Sequence, residues 1–305
     1  ELAQGHSDIT TIMITAYASL ETAIIATKRG AYDFLAKPFT PGELKAAVRK
    51  AARHLVLSRE AQRLAQEKKQ VRFQFISVLA HELKAPLAAV QGYLYMLRDH
   101  ALGDELLEYD KVVDRSLLRL DGMRKMITDL LDLTRIESGK KQREIQDIDL
   151  KEVAEMSLET MLPAALEKGV TMTLDAQGEL VIPGDRGELE IVLNNLVSNA
   201  VKYNRDNGQV TVSIVRNESL VTIAVTDTGI GMTPEECGRL FDEFVRIKNR
   251  KTSNILGSGL GLSIVKKLTA LYDGDVSVTS EPDVGSTFTA RLKVLEPSSA
   301  QTDDS

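Results

Sequence analysis

At 305 residues, with 43% apolar and 27% charged side chains, the chain has the make-up of a globular protein with room for about two domains that each bury a core. A net charge of −6 without any Lys/Arg block speaks against a nucleic-acid or anionic-membrane surface, and a partner with a basic docking face stays open. The single Cys237 excludes an internal disulfide framework and fits a reducing, cytoplasmic compartment, while no apolar run reaches the roughly 18–20 residues that span a bilayer.

The chain opens without Met and without a signal peptide, which reads as a piece of something longer or a processed product. Thr11-Ile12-Met13-Ile14-Thr15 predicts a buried strand, Ser19 to Arg29 a helix capped by Gly30, and Tyr32 to Ala36 a second strand. Pro41 suits the first position of a helix, where its missing N–H does no harm. That helix is expected to run from about Gly42 to Arg98. In its middle Leu57, Leu64, Val71 and Val78 recur every seven residues, with Ala61, Lys68, Phe75 and Glu82 at the fourth positions between them. This is a two-helix seam, imperfect at Lys68 and Glu82; an amphipathic helix on a core is the alternative. After a break at His100–Asp104, a second long helix is predicted from Glu105 to Ser138, ended by Gly139. Its seam is Leu106, Val113, Leu120 and Ile127 with Tyr109, Ser116, Met123 and Leu130. The two helices form an αα-hairpin with more apolar surface than one partner covers, so two chains should pair into an antiparallel four-helix bundle, a homodimer.

Residues 147–296 change character. Helices at Leu150–Lys168, Arg186–Tyr203 and Leu260–Leu271 alternate with strands at Val170–Leu174, Gln209–Val215, Leu220–Thr226, Asp275–Ser280 and Thr287–Leu292, with Asn217-Glu218-Ser219 as a hairpin turn. This order predicts an α+β sandwich with helices on one face of a sheet. The polar residues 297–305 read as a disordered tail.

Two regions carry chemistry. Phe75 to Leu87 places His81-Glu82 inside a helix, one turn before Pro86. A neutral imidazole has a free lone pair near pH 7, and attack through one ring nitrogen needs a base for the other nitrogen's proton, for which Glu82 is adjacent. Pro86 removes the hydrogen bond to the carbonyl of Glu82 and can bend the helix there. A lone His-Glu pair is a weak signal, and no second His or Cys stands at metal-ligand spacing. In the second region, Asn195 and Asn199 share a helix face, their amide oxygens suit Mg2+, and Lys202 can meet phosphate; a polar helix edge would look the same. Asp227-Thr228-Gly229-Ile230-Gly231 follows a strand, where a carboxylate can accept from an exocyclic amine such as that of adenine and the glycines permit close backbone approach. Gly257-Ser258-Gly259-Leu260-Gly261 runs into a helix and offers an anion site, though it is neither a P-loop nor a dinucleotide fingerprint. The polar stretch between them, holding Phe241 and Phe244, reads as a lid or a plain surface loop.

These segments in this order (the histidine box at His81, the asparagine box at 195–202, the glycine boxes at Asp227 and Gly257, and Leu240-Phe241-Asp242-Glu243-Phe244) closely resemble the sensor histidine kinases of two-component signalling over about residues 71–295. The pocket alone is also similar to the ATPase domains of type II topoisomerases, mismatch-repair proteins and chaperones. The resemblance implies an autophosphorylating protein-histidine kinase using ATP and Mg2+, with His81 as phosphoacceptor, Glu82 as its base and Asn199, supported by Asn195, as the metal ligand. Lys202, Tyr203 and Arg246 would lie on the phosphate and ribose side, and Asp227 would hold adenine. Gly229, Gly231, Gly257, Gly259, Leu260 and Gly261 would shape the pocket and lid. A response-regulator aspartate would then take the phosphoryl group. Ala85 stands four residues after the histidine, where dual-function relatives usually carry Thr or Asn, which implies weak phosphatase activity.

Residues 8–50 resemble the second half of a receiver domain, with Thr15-Ala16 at the switch threonine, Phe34 at the switch aromatic, and Lys37-Pro38-Phe39 at the lysine loop, whose Lys–Pro bond is often cis in that family. The acceptor aspartate would lie upstream of Glu1, and Lys37 would then lack its acidic partners, leaving this piece loose or packed non-natively. The expected layout is a partial receiver over 1–56, a coiled-coil linker over 57–70, a dimerisation and phosphotransfer hairpin over 71–140, and an ATP-binding domain over 147–296. Two other classes compete: an ATPase clamp that hydrolyses ATP without phosphohistidine, and a dimeric scaffold that binds nucleotide without turnover.

Overall fold

A computed structural model of the chain describes residues 9–16, 24–25, 28, 30–103, 105–138, 143–247, 249, 252, 255 and 257–294. The expected helix Ser19–Arg29 falls mostly outside these, as do Gly139, the tail over 297–305 and the side chains of Lys68 and Val71. The chain divides into two compact units, Glu1–His81 and Glu82–Ser305.

In the first unit β1 (Ile12–Thr15) and β2 (Asp33–Ala36) pair in parallel, Ile12 opposite Asp33 and Thr15 opposite Ala36. Each strand is one residue shorter at its start than its sequence pattern suggests. The Lys37–Pro38 peptide is cis. Helix α1 (Pro41–Arg98) starts at Pro41, and Thr40 caps it reciprocally: its N–H donates to Glu43 Oε2 at 2.7 Å, and the Glu43 N–H donates to Thr40 Oγ1 at 3.2 Å. Tyr32 stacks on His54 with ring centroids 4.4 Å apart, and Lys50 pairs with Asp33 at 3.1 Å. Ala51 is the only buried apolar side chain among the described residues of this unit, while Met13, Ile14 and Phe34 are exposed. At about 1.5–3 kcal/mol for each large apolar side chain buried, the described residues of this unit gain little from burial. The expected buried strand at 11–15 is therefore corrected: among the described residues no layer covers Met13 and Ile14.

The second unit holds the rest of α1, which continues through Pro86, and α2 (Leu106–Ser138). Beyond them come β3 (Ile145–Asp149), α3 (Leu150–Glu167), β4 (Thr171–Ala176), β5 (Val181–Asp185), α4 (Arg186–Lys202), β6 (Gln209–Asn217), β7 (Leu220–Asp227), the short α5 (Pro234–Cys237), α6 (Gly261–Leu271), β8 (Asp275–Glu281) and β9 (Gly285–Lys293). Five strands form a sheet in the order β4-β6-β7-β9-β8, parallel between β4 and β6 and antiparallel elsewhere. Alternation sorts its faces. Val210, Val212, Ile214, Val221, Ile223, Val225, Phe288, Ala290 and Leu292 are buried, together with Val153, Ala154, Leu189, Leu193, Leu196, Ile264, Val265 and Leu268 of α3, α4 and α6. The intervening Thr222, Thr226, Thr287 and Thr289 stay less covered. This is the layering of helices on one face of a sheet that the sequence pattern predicts.

The antiparallel ribbon β3–β5 was not predicted. Its sequences, Ile-Gln-Asp-Ile-Asp and Val-Ile-Pro-Gly-Asp, carry acids, a proline and a glycine that argue against a strand, and only the pairing rescues them. It leads into α4 through Asp185, whose carboxylate caps the helix by accepting from the Glu188 N–H at 3.2 Å.

Candidate active site

Helix α4 shows how the fold makes a site from a polar edge. Leu189, Val192, Leu193, Leu196 and Val197 turn into the core, which leaves Asn195, Ser198, Asn199 and Lys202 along a cavity. Asn195 donates from Nδ2 to the Ile191 carbonyl at 2.8 Å, which fixes its amide. A Cβ on Gly261 would stand 2.4 Å from Asn195 Oδ1, so only glycine lets the start of α6 approach so closely. The Asn199 side chain makes no hydrogen bond among the described residues and lines the cavity.

Asp227, at the end of β7, is 5% exposed. Its Oδ1 accepts from the Gly229 N–H at 2.8 Å. Burial pushes its carboxyl up to about 6, partly offset by backbone N–H groups of Gly229 and Ser286. Gly231 has φ +61°, and a Cβ there would lie 1.9 Å from the Glu281 carbonyl oxygen, so the turn admits no larger residue. Lys202 is drawn down to about 8, first by burial and then by the nearby charges of Lys125 and Arg246. Burial raises the Tyr203 phenol, which therefore stays neutral.

The loop before α6 closes the same cavity with Gly257, Ser258, Gly259 and Gly261. The Phe244 N–H donates to the Gly259 carbonyl at 3.0 Å, tying the phenylalanine segment to the loop, and Phe244 takes a positive φ of 61°. Arg246 lines the cavity and donates from Nη2 to the Ile255 carbonyl at 2.6 Å. Two expected pocket residues do not line it. Gly229 packs against the Tyr203 carbonyl behind the wall, and Leu260 is fully buried, its N–H donating to Ser258 Oγ at 3.2 Å.

His81 is exposed on α1 and Glu82 half-buried. Glu82, Ala85, Pro86 and Ala89 line a second cavity of about 250 Å³ with Arg119, Gly122, Met123 and Met126 of α2 and with Arg246 and Gly257, which border both cavities. Sequence reasoning missed Arg119, Lys125 and Asp129. They sit on the polar positions of a long helix, and only their burial or cavity position sets them apart. It also missed the network in which Arg143 pairs with Glu188 at 2.8 Å and stacks on Tyr272, whose hydroxyl donates to Glu188 Oε2 at 2.9 Å.

Among the described residues no three His, Cys, Asp or Glu side chains cluster as a metal cage. An unengaged asparagine amide in a cationic cavity instead fits Mg2+ that takes most of its oxygen ligands from phosphate, with Asn199 as the protein's contribution. No described helix is long and apolar enough to cross a membrane.

Residues 71–139 match the family model of the His Kinase A (phospho-acceptor) domain, and residues 184–296 match that of the histidine kinase-, DNA gyrase B- and HSP90-like ATPase. The sensor histidine kinase RcsC of Escherichia coli is 33% identical over 239 residues, covering 76% of this chain and 24% of that protein. The sensor-like histidine kinase SenX3 of Mycobacterium tuberculosis is 33% identical over 221 residues, 72% of this chain and 53% of that protein. The chain thus spans about a quarter to about half of the length of these relatives. The structure of full-length ShkA in complex with AMPPNP superposes with a TM-score of 0.52 at 26% identity, over 72% of this chain and 46% of that one. The chain therefore carries a His Kinase A phospho-acceptor domain followed by an ATPase domain of the histidine kinase-, DNA gyrase B- and HSP90-like kind.

Proposed function

We propose that the protein is an ATP- and Mg2+-dependent histidine kinase that phosphorylates its own His81 and passes the phosphoryl group to an aspartate of a separate response regulator. The observation that carries this reading is the pairing, on one chain, of an exposed His81 followed by Glu82 with a cavity lined by Asn199, Lys202 and Asp227. In the reaction one imidazole nitrogen forms a bond to the terminal phosphorus of ATP while the bond to ADP's oxygen breaks. Glu82 takes the proton from the other ring nitrogen, so the ring does not carry two substituents and a positive charge. Asp227 accepts from the adenine amine, and Lys202 with Arg246 holds the phosphates. Bound Mg2+ supplies neutralisation of phosphate charge. Transfer of this kind is mainly positioning, so no further covalent chemistry is asked of the protein. The decisive measurement is acid-labile label from ATP radiolabelled in its terminal phosphate. Label is expected in the wild type and absent in His81→Ala, whereas ATP hydrolysis without label would identify a clamp ATPase instead.

The exposed row Leu106, Val113, Leu120 and Ile127 of α2 supports a homodimer through the hairpin, with residues 57–70 as a coiled-coil linker. The parallel β1–β2 pair supports a partial receiver over 1–56. Ala85 is exposed and offers no hydrogen bond to orient water, so phosphatase activity is weak. Ala85→Thr is expected to raise the rate of partner dephosphorylation about tenfold or more with little loss of autophosphorylation; equal dephosphorylation by both forms would refute this.

A further inference from the structure

The nucleotide cavity draws two residues from outside the ATP domain's own motifs, Lys125 and Asp129 of α2. Four residues apart, they share a helix face. Asp129, with its side chain 6% exposed, holds both neighbours: Oδ1 lies 3.3 Å from Lys125 Nζ, and Oδ2 accepts from Ser258 Oγ at 2.6 Å. Ser258 in turn receives the Leu260 N–H, so a continuous set of contacts runs from α2 through the Gly-rich loop to the start of α6. Lys125 is 54% exposed, anchored at one side and open at the other.

The charges on this wall do not balance. Lys125, Lys202 and Arg246 line the cavity against two acids, Asp227, which accepts from the Gly229 N–H, and Asp129, which is already engaged with Lys125 and Ser258. Mutual repulsion contributes to the depressed pKa of Lys202, as expected where cations converge without an equal number of anions. A polyanion relieves this, and a polyphosphate has the charge density to engage several cations at once.

We propose that Lys125 is a phosphate-binding residue of the nucleotide cavity, contributed by the second helix of the phospho-acceptor hairpin and held in place by Asp129. Affinity for the charged tail of the nucleotide then depends on α2, whereas affinity for the nucleoside does not. The inference rests on the kinase reading only in that the cavity takes an adenine nucleotide.

Calorimetry on the full chain with Mg2+, using ATP and adenosine as separate ligands, tests it. Lys125→Ala is expected to weaken ATP binding about tenfold and leave adenosine unchanged, with Lys125→Arg recovering most of the loss. Lys111→Ala removes an equal charge from α2 outside the cavity and is expected to change neither. Unchanged ATP affinity in Lys125→Ala overturns the proposal. So does a parallel loss for adenosine, which marks a packing effect, or an equal loss in Lys111→Ala, which marks bulk electrostatics. Wild type that binds ATP yet forms no phosphohistidine overturns the kinase reading and leaves this inference standing. Wild type that binds neither ligand overturns both.

Discussion

Asp227 and Lys202 have pKa values displaced toward one another, one up to about 6 and the other down to about 8. For Asp227 the raised folded-state value means the fold favours the protonated carboxyl. Its contribution to stability is present below its ordinary value near 3.8 and is lost as pH rises through about 6. A ligand whose amine donates to the carboxylate favours the other form, so ATP affinity should climb as pH rises through about 6. Lys202 must be charged to meet phosphate, so affinity should fall again as pH rises through about 8. A bell-shaped affinity profile is expected by calorimetry. Asp227→Asn should remove its acid limb and Lys202→Met its alkaline limb, and a flat wild-type profile would contradict both assignments. At this scale the sequence was informative because the chemistry is local: a carboxylate before two glycines, and an asparagine pair one turn apart. Lys125 and Asp129 carried no such mark, since a Lys and an Asp four apart on a long helix read as a solvated ion pair.

Helix α2 is an element with two working faces. Val112, Met126, Asp129 and Leu133 are buried within the chain, and Lys267 of α6 reaches Glu137 near the helix end. On another face Leu106, Val113, Leu120 and Ile127, one of the two rows of the seam read from the heptad, are 42–79% exposed, while in the other row Tyr109, Met123 and Leu130 are half-buried and Ser116 is buried. A stripe of aliphatic side chains at seven-residue spacing is costly to leave in water, and the proposed homodimer would cover it with a second copy of itself. Leu120→Glu combined with Ile127→Glu is therefore expected to shift the protein from dimer to a 33.5 kDa monomer in sedimentation equilibrium, with far-ultraviolet helicity largely kept. A wild-type chain already monomeric at micromolar concentration would refute the bundle. The period of such a helix is legible because it is set by 3.6 residues per turn, whereas the partner of each face is not. The same limit hid the β3–β5 ribbon, whose strands exist by pairing with each other and not by intrinsic preference.

Across the whole chain, stability is unevenly distributed. The ATP domain closes a core of its own over one face of a five-stranded sheet, while the described part of the first unit buries Ala51 alone among its apolar side chains. The sequence by itself determined the order of the phospho-acceptor and ATPase domains, the long helices, the alternating strands and the polar and glycine positions that mark the cavity, because periodicity, turn chemistry and short motifs are properties of neighbours along the chain. Tertiary structure alone decided that Gly229 and Leu260 stand behind the cavity wall, that Arg143 is held by Glu188 and Tyr272, and that α2 brings Lys125 and Asp129 to the Gly-rich loop. The contacts of Arg143, Tyr272 and Asp129 join residues 45 to 129 positions apart, and no local rule fixes which distant side chains share a low-dielectric space.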